Sequence, residues 1–248
     1  MQRTFVIGDI HGDAVALERV LGLLPALDAG DSMVFLGDYL DRGPDSATVM
    51  ERVRTLHRHT PARVIALRGN HEDAWLRAVD EGFPEFVLPQ QNGCSAAMRS
   101  YDRRAPPAPE DRPTADELRR LLAGSFFPPE HVAWMRSLPF FHEDEHAIYV
   151  HAGIPRGPDG FPHPSAVEPR IALLWCRDRD FFTNYRGKLV VVGHTVTSQL
   201  PKELSSYTPE DPTDLWAGPC TAGIDTGCGK GGFLTALELP RRLIYESR

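Results

Sequence analysis

The sequence has few cysteines, no long hydrophobic run and no excess of basic residues. Its 248 residues include only four cysteines, and no two of them form a C-x-x-C pair, so neither a disulfide framework nor a thiolate-bound metal site is expected. The net charge of -7 at pH 7 excludes a general electrostatic attraction to nucleic acids or to anionic membrane surfaces. No apolar run approaches the ~18 residues that a transmembrane helix needs. We therefore expect a cytoplasmic protein without nucleic-acid or membrane partners.

Short apolar runs rich in β-branched residues recur along the chain and predict strands. Most of these runs are continuous rather than alternating, which is typical of strands buried on both faces. Between the early runs, apolar residues at helical spacing predict one helix after Asp13 and another after 44–46. Strands that alternate with helices indicate an α/β protein. The predicted strands are 4–7, 33–36, 64–67, 147–150, 189–192 and 233–239.

The segment 82–139 interrupts this alternation. It contains a proline-rich stretch, followed by helical patterns at 115–122 and 129–137. We interpret 82–139 as a small helical cap inserted into a single domain that comprises the whole chain, 1–248. A second segment rich in proline and glycine, 155–169, predicts a long loop. Both segments could control access to a site.

Five of the predicted strands are each followed by a short polar motif that contains glycine. In open α/β sheets, ligands bind beyond the carboxyl ends of the strands, so these motifs are expected to meet in one crevice. A single Asp-x-His would be weak evidence for a site, because a surface turn can hold both residues. Five such motifs are much harder to explain by chance. In chain order they are GDIHG (8–12), GDYLDRG (37–43), RGNHE (68–72), HAGI (151–154) and GHT (193–195).

The side chains in these motifs are those that hard and borderline metal ions prefer. They offer carboxylate, amide and imidazole donors without a thiolate, which suits divalent Mn, Fe or Zn and argues against a structural zinc site. More donors than one ion needs indicate two ions. Two such ions about 3.5–4 Å apart, bridged by one carboxylate, could polarise a phosphoryl oxygen and activate a water for in-line attack. The candidate donors are Asp9, His11, Asp38, Asn70, His71, His151 and His194.

Other prominent residues have simpler explanations. Glu72 is better explained as a carboxylate near a helix N-terminus than as a ligand. The stretch GCGKGG at 227–232 satisfies a G-x-G-x-x-G pattern, but it leads into a predicted strand rather than a helix, so a dinucleotide site is not expected. Six further histidines are interpreted as ordinary core or surface residues: His57, His59, His131, His142, His146 and His163.

The five motifs, in this order, resemble the phosphoprotein phosphatase (PPP) branch of the calcineurin-like metallophosphoesterases. The similarity is to bacterial and phage-type members, which include bacteriophage lambda phosphatase and symmetrical diadenosine tetraphosphatases. It extends from about residue 5 to about residue 239. The resemblance implies a sandwich of two mixed β-sheets flanked by helices, with a dinuclear metal site at the strand ends. Val196 departs from the pattern near the site, where relatives often carry proline after GHT.

The resemblance also implies a metal-binding role for six of these residues. Asp9 and His11 are assigned to one ion, and Asp38 is assigned to a position that bridges both ions. Manganese is the expected metal, with iron or zinc as alternatives that the same donors suit. The remaining ligands of the second ion are Asn70, His151 and His194.

Proton transfer and phosphate binding are assigned, by the same resemblance, to residues close by. His71 matches the general acid that protonates the leaving group, and Asp41 matches the carboxylate that orients its imidazole and keeps it charged. Arg42 matches a phosphate-binding guanidinium, whose planar fork suits two phosphoryl oxygens. Arg177 is the nearest match for a second such arginine, and Arg179 remains open.

The implied reaction is hydrolysis of a phosphate monoester by direct in-line attack of metal-bound hydroxide. We expect a serine/threonine protein phosphatase whose partner is a phosphoprotein, or a small phosphorylated compound. A symmetrical dinucleoside tetraphosphate hydrolase that yields ADP is the alternative, since the residues of the site suit both. A catalytically inactive phosphate-binding module would be expected to lack a ligand or the acid, and the sequence retains all of them.

Overall fold

A computed structural model describes residues 2–108, 110–205 and 214–248. Within these residues the strands form two five-stranded sheets. Each sheet combines parallel and antiparallel pairs, which confirms the predicted α/β sandwich of two mixed sheets. In chain order the strands are β1 (Thr4–Ile7), β2 (Ser32–Phe35), β3 (Arg63–Ala66), β4 (Phe141–Glu143), β5 (Ile148–Val150), β6 (Val190–Val192), β7 (Trp216–Ala217), β8 (Thr221–Gly223), β9 (Thr235–Leu239) and β10 (Leu243–Glu246).

Each sheet joins three parallel strands to antiparallel ones, on one side in the first sheet and on both sides in the second. The first sheet has the order β10-β9-β1-β2-β3, in which β1, β2 and β3 are parallel and β9 is antiparallel to β1. The second sheet has the order β4-β5-β6-β8-β7, in which β5, β6 and β8 are parallel and both edge strands are antiparallel. Within each sheet, the carboxyl ends of the parallel strands therefore lie at one edge.

Strands of both sheets are buried on both faces. Val6 from the first sheet and Tyr149 and Val191 from the second lie in an apolar cluster between the sheets. Phe5, the neighbour of Val6 along β1, lies in a second cluster on the opposite face, beneath helices. Because successive residues of a strand point to opposite faces, apolar residues are needed at every position. This explains the continuous apolar runs in the sequence.

Two early helices begin at aspartate caps. The side chain of Asp13 accepts a hydrogen bond from the Ala16 N–H, and that of Asp45 accepts one from the Thr48 N–H. In the described part of the chain, we find no helix that is both long and apolar enough to cross a membrane. The α-helices in this part are α1 (Ala14–Leu23), α2 (Ser46–Thr55), α3 (Asn70–Glu81), α4 (Pro84–Val87), α5 (Cys94–Tyr101), α6 (Ala115–Ala123), α7 (Pro129–Ser137), α8 (Ala172–Trp175) and α9 (Arg179–Asn184).

The inserted segment carries α4 to α7, which pack close to α2 and α3. Phe86 of α4 and Met98 of α5 lie in the same apolar cluster as Trp75 of α3 and Phe5 of β1. The inserted helices therefore share the main core of the protein. Because the inserted helices and the rest of the chain share this core, the packing marks no boundary at residue 82 or at residue 139. The cap at 82–139 therefore stays a prediction.

The predicted strands agree closely with the observed ones. The first coincides with β1, and the next four differ from β2, β3, β5 and β6 by one residue at one or both ends. The predicted strand 233–239 begins two residues too early, because Phe233 forms only an isolated bridge with Gly227. β4, β7, β8 and β10 have no counterpart among the predictions, since strands of two to four residues have little readable periodicity.

Candidate dinuclear metal site

The ends of five strands bring the motif residues to one edge of the sandwich. The loops after β1 and β2 carry Asp9 and Asp38, Asn70 follows β3, and His151 and His194 follow β5 and β6. All five side chains are buried. The two sheets meet here, since the backbone N–H of His194 donates to Asp9 at 3.0 Å and Asn70 Oδ1 lies 2.9 Å from His151 Nε2. Residues far apart in the sequence thus form one buried cluster.

Three of the clustered residues adopt a left-handed backbone conformation that is uncommon outside glycine. The φ angles are 47° at His11, 53° at Asp38 and 64° at His194. Each such conformation costs on the order of 1 kcal/mol, so it persists only where the surroundings fix it. Hydrogen bonds between the loops do this, for example from the His11 N–H to the Asp38 carbonyl at 2.9 Å. Asp41 and Arg42, close to these candidates, share this backbone conformation, with φ angles of 72° and 68°.

Two groups of possible metal ligands share the carboxylate of Asp38. The first group adds His11 and His71, whose Nε2 atoms lie 3.4 and 3.9 Å from Asp38 Oδ2. The second group adds His151 and His194, and His151 Nε2 lies 3.4 Å from Asp38 Oδ1. Asp38 therefore faces one group with each oxygen, as a bridging carboxylate would.

Asp9 lies beside the first group. Its Oδ2 is 4.0 Å from His11 Nε2, so the residue that the sequence assigned to the ion with His11 is close to that position. His71 Nε2 lies 3.9 Å from Asp38 Oδ2, and its Nδ1 lies 2.7 Å from Asp41 Oδ2. Both Asp9 and His71 thus border the position of the first ion.

The second group leaves hydrogen-bond acceptors facing one another. His151 Nδ1 lies 2.9 Å from the Leu36 carbonyl, so Nδ1 carries the proton and Nε2 is an acceptor. That acceptor faces Asn70 Oδ1 at 2.9 Å and Asp38 Oδ1 at 3.4 Å. Among the described residues, the buried His194 Nε2 has no hydrogen-bond partner. Converging lone pairs of this kind are stabilised by a cation, so the residues present fit a divalent metal ion.

Burial and neighbouring charges prepare these groups to bind a cation. Burial lowers the pKa of His11 and of His151, and it lowers the pKa of His194 to about 2, so the three imidazoles are neutral at pH 7. Burial raises the pKa of Asp38, but positive charge around it, on His151 first, lowers that pKa well below its usual range, and a bound cation would supply such charge where the imidazoles are neutral. Burial and then nearby carboxylates raise the pKa of Asp9, which a cation would reverse. Neutral imidazoles and ionised carboxylates are the forms that bind metals.

His71 is held by a buried carboxylate. Its Nδ1 lies 2.7 Å from Asp41 Oδ2, and the indole Nε1 of Trp75 donates to both oxygens of Asp41 at 3.0 and 2.9 Å. Burial raises the pKa of Asp41, although the hydrogen bonds from His71 and Trp75 oppose this. The His71 ring also lies edge-on to Phe86, with centroids 5.1 Å apart. These contacts leave Nε2 of His71 directed toward Asp38.

An open cleft of about 490 Å³ borders the ligands, and two arginines line it. Arg42 hydrogen-bonds to His11 Nε2 through Nη1, and Arg177 lies on the cleft wall near His194. Arg179 is not part of the described lining, because its guanidinium pairs with Glu203 at the surface. Of the two arginines that the sequence left as alternatives, Arg177 therefore borders the cleft and Arg179 forms an ion pair at the surface.

Two residues that support the site through hydrogen bonds, Glu72 and Trp75, could hardly be assigned this role from the sequence. Glu72 lies at the helix N-terminus, as the sequence indicated, and its carboxylate accepts hydrogen bonds from the backbone N–H groups of Asp38 and Tyr39 at 2.9 and 2.8 Å. Glu72, in the first turn of α3, thus supports the loop after β2 that carries Asp38. Trp75 follows His71 by four positions, which places both on one face of α3, and this spacing is the only sign of its role in the sequence.

Comparison with known proteins identifies similar phosphatases and tetraphosphatases. The asymmetrical bis(5'-nucleosyl)-tetraphosphatase PrpE of Anoxybacillus flavithermus is 27% identical, with coverage of 95% of this chain and 89% of that protein. The symmetrical bis(5'-nucleosyl)-tetraphosphatase of Dechloromonas aromatica is 28% identical, with coverage of 98% and 95%. The serine/threonine-protein phosphatase SIT4 of Candida albicans is 41% identical, but this match covers 34% of this chain and 27% of SIT4.

The fold is also similar to solved structures. A metallophosphoesterase from Sphaerobacter thermophilus superposes with a TM-score of 0.53 at 18% identity, with coverage of 98% of this chain and 87% of that one. At such low identity the likeness concerns the fold alone. Residues 2–198 match the calcineurin-like phosphoesterase family. The chain therefore belongs to this family of metal-dependent hydrolases of phosphoric esters.

Proposed function

We propose that the protein is a phosphomonoesterase with two divalent cations and that its natural substrates are phosphorylated serine or threonine side chains of proteins. The observation that carries the proposal is Asp38, whose two oxygens face two separate ligand groups. The pair of His71 and Asp41 lies directly beside this carboxylate. A shared carboxylate next to a supported imidazole is suited to hydrolysis of a phosphoric ester.

The two ligand groups suggest how the cations would be held. Asp9 and His11 would hold one cation, with Asp38 between the two. Cations bound there polarise phosphoryl oxygens and lower the pKa of a nearby water. We propose manganese, and iron or zinc would suit the same nitrogen and oxygen donors. The other cation would be held by Asn70, His151 and His194.

Side chains around the cations would deliver the proton and hold the phosphate. His71 donates a proton to the leaving oxygen from Nε2, because its Nδ1 faces Asp41. Arg42 and Arg177 line the cleft and bind phosphoryl oxygens through their paired N–H donors. Arg42 contacts His11, so a phosphate bound by Arg42 would lie close to this metal-ligand candidate.

Two substrate classes have support. The cleft is open, so a phosphorylated side chain on a protein surface can enter it, and a local identity of 41% is to a serine/threonine phosphatase. A dinucleoside tetraphosphate is the second candidate, because the matching tetraphosphatases cover nearly the whole chain. We favour the phosphoprotein, since amide side chains that suit a peptide line the same cleft.

A comparison of three substrates tests the proposal. Protein stripped with a chelator and reconstituted with manganese is assayed on a phosphoserine peptide, p-nitrophenyl phosphate and diadenosine tetraphosphate. We expect metal-dependent turnover with the highest kcat/KM for the peptide. A preference for the dinucleotide with ADP as sole product would favour the second candidate instead. Absence of metal-dependent turnover on all three would refute both and revive the inactive binding module.

A pair of matched variants strengthens this test. Asp38→Asn removes the shared charge with little change of shape, and we expect it to abolish both manganese binding and turnover. Asp31→Asn is the control, because Asp31 is also buried but pairs with Arg3 away from the site. Equal metal binding by both variants would contradict the assignment of Asp38.

We also propose a cytoplasmic location. The four cysteines are free thiols, which is the form that a reducing compartment maintains. Fractionation of the producing cells, with detection by antibody, would test this, and recovery of the protein outside the cytoplasmic fraction would refute it.

A further inference from the structure

The cleft beside the candidate metal ligands is lined by positively charged side chains. Within the described residues its charged lining side chains are all basic, although the whole chain has a net charge of -7. One of them, Lys230, belongs to the GCGKGG stretch, to which no catalytic role has been assigned. A concentration of basic groups in one cleft attracts anions. The polar lining residues are Arg42, Arg177, Lys230, His194, Gln90, Gln91, Asn92 and Gln199.

The backbone at Gly229 fixes the origin of the Lys230 side chain. A Cβ at this position would lie 2.5 Å from His11 Cβ and 2.6 Å from the His11 carbonyl oxygen, and φ is +70°. Only glycine accommodates both the contact and the left-handed backbone. The loop that carries Lys230 is therefore seated directly on a metal-ligand candidate.

A buried carboxylate fixes the other end of this side chain. Lys230 Nζ lies 3.0 Å from Asp225 Oδ2, and Asp225 is fully buried. The second oxygen of Asp225 accepts a hydrogen bond from the Gly227 N–H at 3.0 Å. An ammonium group has three donors, and the ion pair uses one of them. With 23% of the Lys230 side chain exposed to the cleft side of the surface, further donors can reach an anion.

The basic residues exceed what one phosphoryl group requires. Arg42 and Arg177 can each bind two oxygens with a planar fork, so together they satisfy a single phosphoryl group. Lys230 is a third positively charged side chain in the same cleft and can therefore bind a separate anion. The neighbouring Gln90 and Gln199 offer both donors and acceptors, which match the N–H and C=O groups of a peptide. These observations favour a peptide that carries a further negative charge near its phosphate.

We propose that Lys230 forms a second anion subsite, which binds the carboxylate of an acidic residue flanking the phosphorylated serine or threonine. The proposal rests on the proposed function, since the phosphoryl group is taken to lie between Arg42 and Arg177. The subsite makes the enzyme selective for acidic phosphopeptides. The net charge of the protein is negative and would repel an acidic peptide, so this selectivity has to come from contacts within the cleft.

Two peptides that differ only in charge test the subsite. One carries glutamate on both sides of phosphoserine, and the other carries glutamine at the same two positions. The ratio of their kcat/KM values is measured for the wild type, Lys230→Gln, Lys230→Arg and Arg179→Gln, each loaded with manganese. Arg179→Gln is the matched control, because it removes one positive charge near the cleft from a residue that pairs with Glu203.

We expect the wild type to prefer the glutamate peptide by about tenfold, the usual effect of a charge-assisted hydrogen bond. Lys230→Gln should reduce the ratio to about one, Lys230→Arg should retain part of it, and Arg179→Gln should retain all of it. A competition assay, with each peptide as an inhibitor of p-nitrophenyl phosphate hydrolysis, should give the same ratio as a difference in Ki.

Four outcomes would overturn the proposal. Equal kcat/KM for both peptides in the wild type would refute the subsite but would leave the proposed function unaffected. Loss of bound manganese in Lys230→Gln would mean that Lys230 compensates the charge of Asp225 instead. An effect of Lys230→Gln on diadenosine tetraphosphate but not on the peptides would assign the subsite to a second phosphate. Turnover of p-nitrophenyl phosphate without turnover or binding of either peptide would refute the phosphoprotein function together with the subsite.

Discussion

The indole Nε1 of Trp75 donates to both carboxylate oxygens of Asp41, at 3.0 and 2.9 Å. Trp75 is fully buried, and its ring lies edge-on to Phe126 and Phe127 with centroids 5.1 Å from each. The helix α3 and the inserted segment thus combine to fix a carboxylate that belongs to the loop after β2. Since Asp41 in turn holds His71, the packing of the inserted segment bears on the position of the His71 imidazole.

Replacing this indole should affect poor leaving groups most. We expect Trp75→Phe to lower kcat for a phosphoserine peptide by about tenfold, a part of the 10²–10⁴-fold effect of a general acid, because Asp41 no longer fixes His71. p-Nitrophenyl phosphate needs little protonation, so its kcat should change by no more than about twofold. Trp216→Phe is the control, since Trp216 is also buried and donates to the Pro201 carbonyl at 2.9 Å. Equal slowing of both substrates would indicate a structural role alone.

Removal of the proposed acid should separate catalysis from metal binding. We expect His71→Asn to lower kcat on alkyl phosphates by roughly 10²–10⁴-fold while bound manganese stays nearly unchanged. The physical reason is that His71 Nδ1 is committed to Asp41, so the residue is assigned to proton transfer. Steady-state kinetics and metal analysis of the same preparation measure both effects. Manganese loss in step with activity would instead make His71 a ligand.

The two arginines near the second sheet should differ in their effect on substrate binding. Arg177→Ala should raise KM for phosphopeptides by about tenfold, as expected for a lost charge-assisted contact. Arg179→Ala should leave KM within about twofold, because Arg179 pairs with Glu203 and is absent from the described lining of the cleft. Inhibition by inorganic phosphate gives an independent measure. The reverse order of effects would make Arg179 the phosphate ligand.

Acid should weaken the inserted segment through Glu117. The Thr114 N–H donates to its carboxylate at 2.9 Å, and Arg99 and Arg104 pair with it at 3.2 and 2.9 Å. The backbone hydrogen bond, followed by these contacts, lowers the pKa of Glu117 from 4.5 to about 2. Because the folded pKa is the lower one, the stabilisation is present above the unfolded pKa and is lost as pH falls through about 2.

We therefore expect Glu117→Gln to lower the free energy of unfolding by about 1–3 kcal/mol at pH 7. The difference from the wild type should shrink between about pH 5 and pH 2, because the Glu117 carboxylate of the unfolded chain takes up a proton in this range while that of the folded protein stays ionised down to about pH 2. Urea unfolding at several pH values measures this, with Glu130→Gln on the exposed face of α7 as the control. A difference that does not vary with pH would refute the electrostatic explanation.

Several elements could be read directly from local sequence patterns. The run at 4–7 coincides with β1, and Asp13 caps α1 as predicted. Both features can be recognised within a few positions, since a continuous apolar run predicts a buried strand and a capping side chain lies directly before its helix. The same holds for α7, whose bounds, Pro129–Ser137, are the predicted ones. The edge strand β10 was not predicted although its partner β9 directly precedes it in the chain, because none of its four residues is fully buried.

The sequence by itself determined which residues are candidates for the site, because glycine-rich motifs recur at the ends of successive strands and parallel strands share an edge. It did not determine how the loops meet. Tertiary structure decided that Asp38 faces two ligand groups, that Trp75 supports Asp41 and that Gly229 seats Lys230 on His11. Trp75 and Asp41 lie 34 positions apart in the sequence, and Gly229 and His11 lie much farther apart. Their geometry follows from the packing of whole sheets and helices, which no local pattern of residues records.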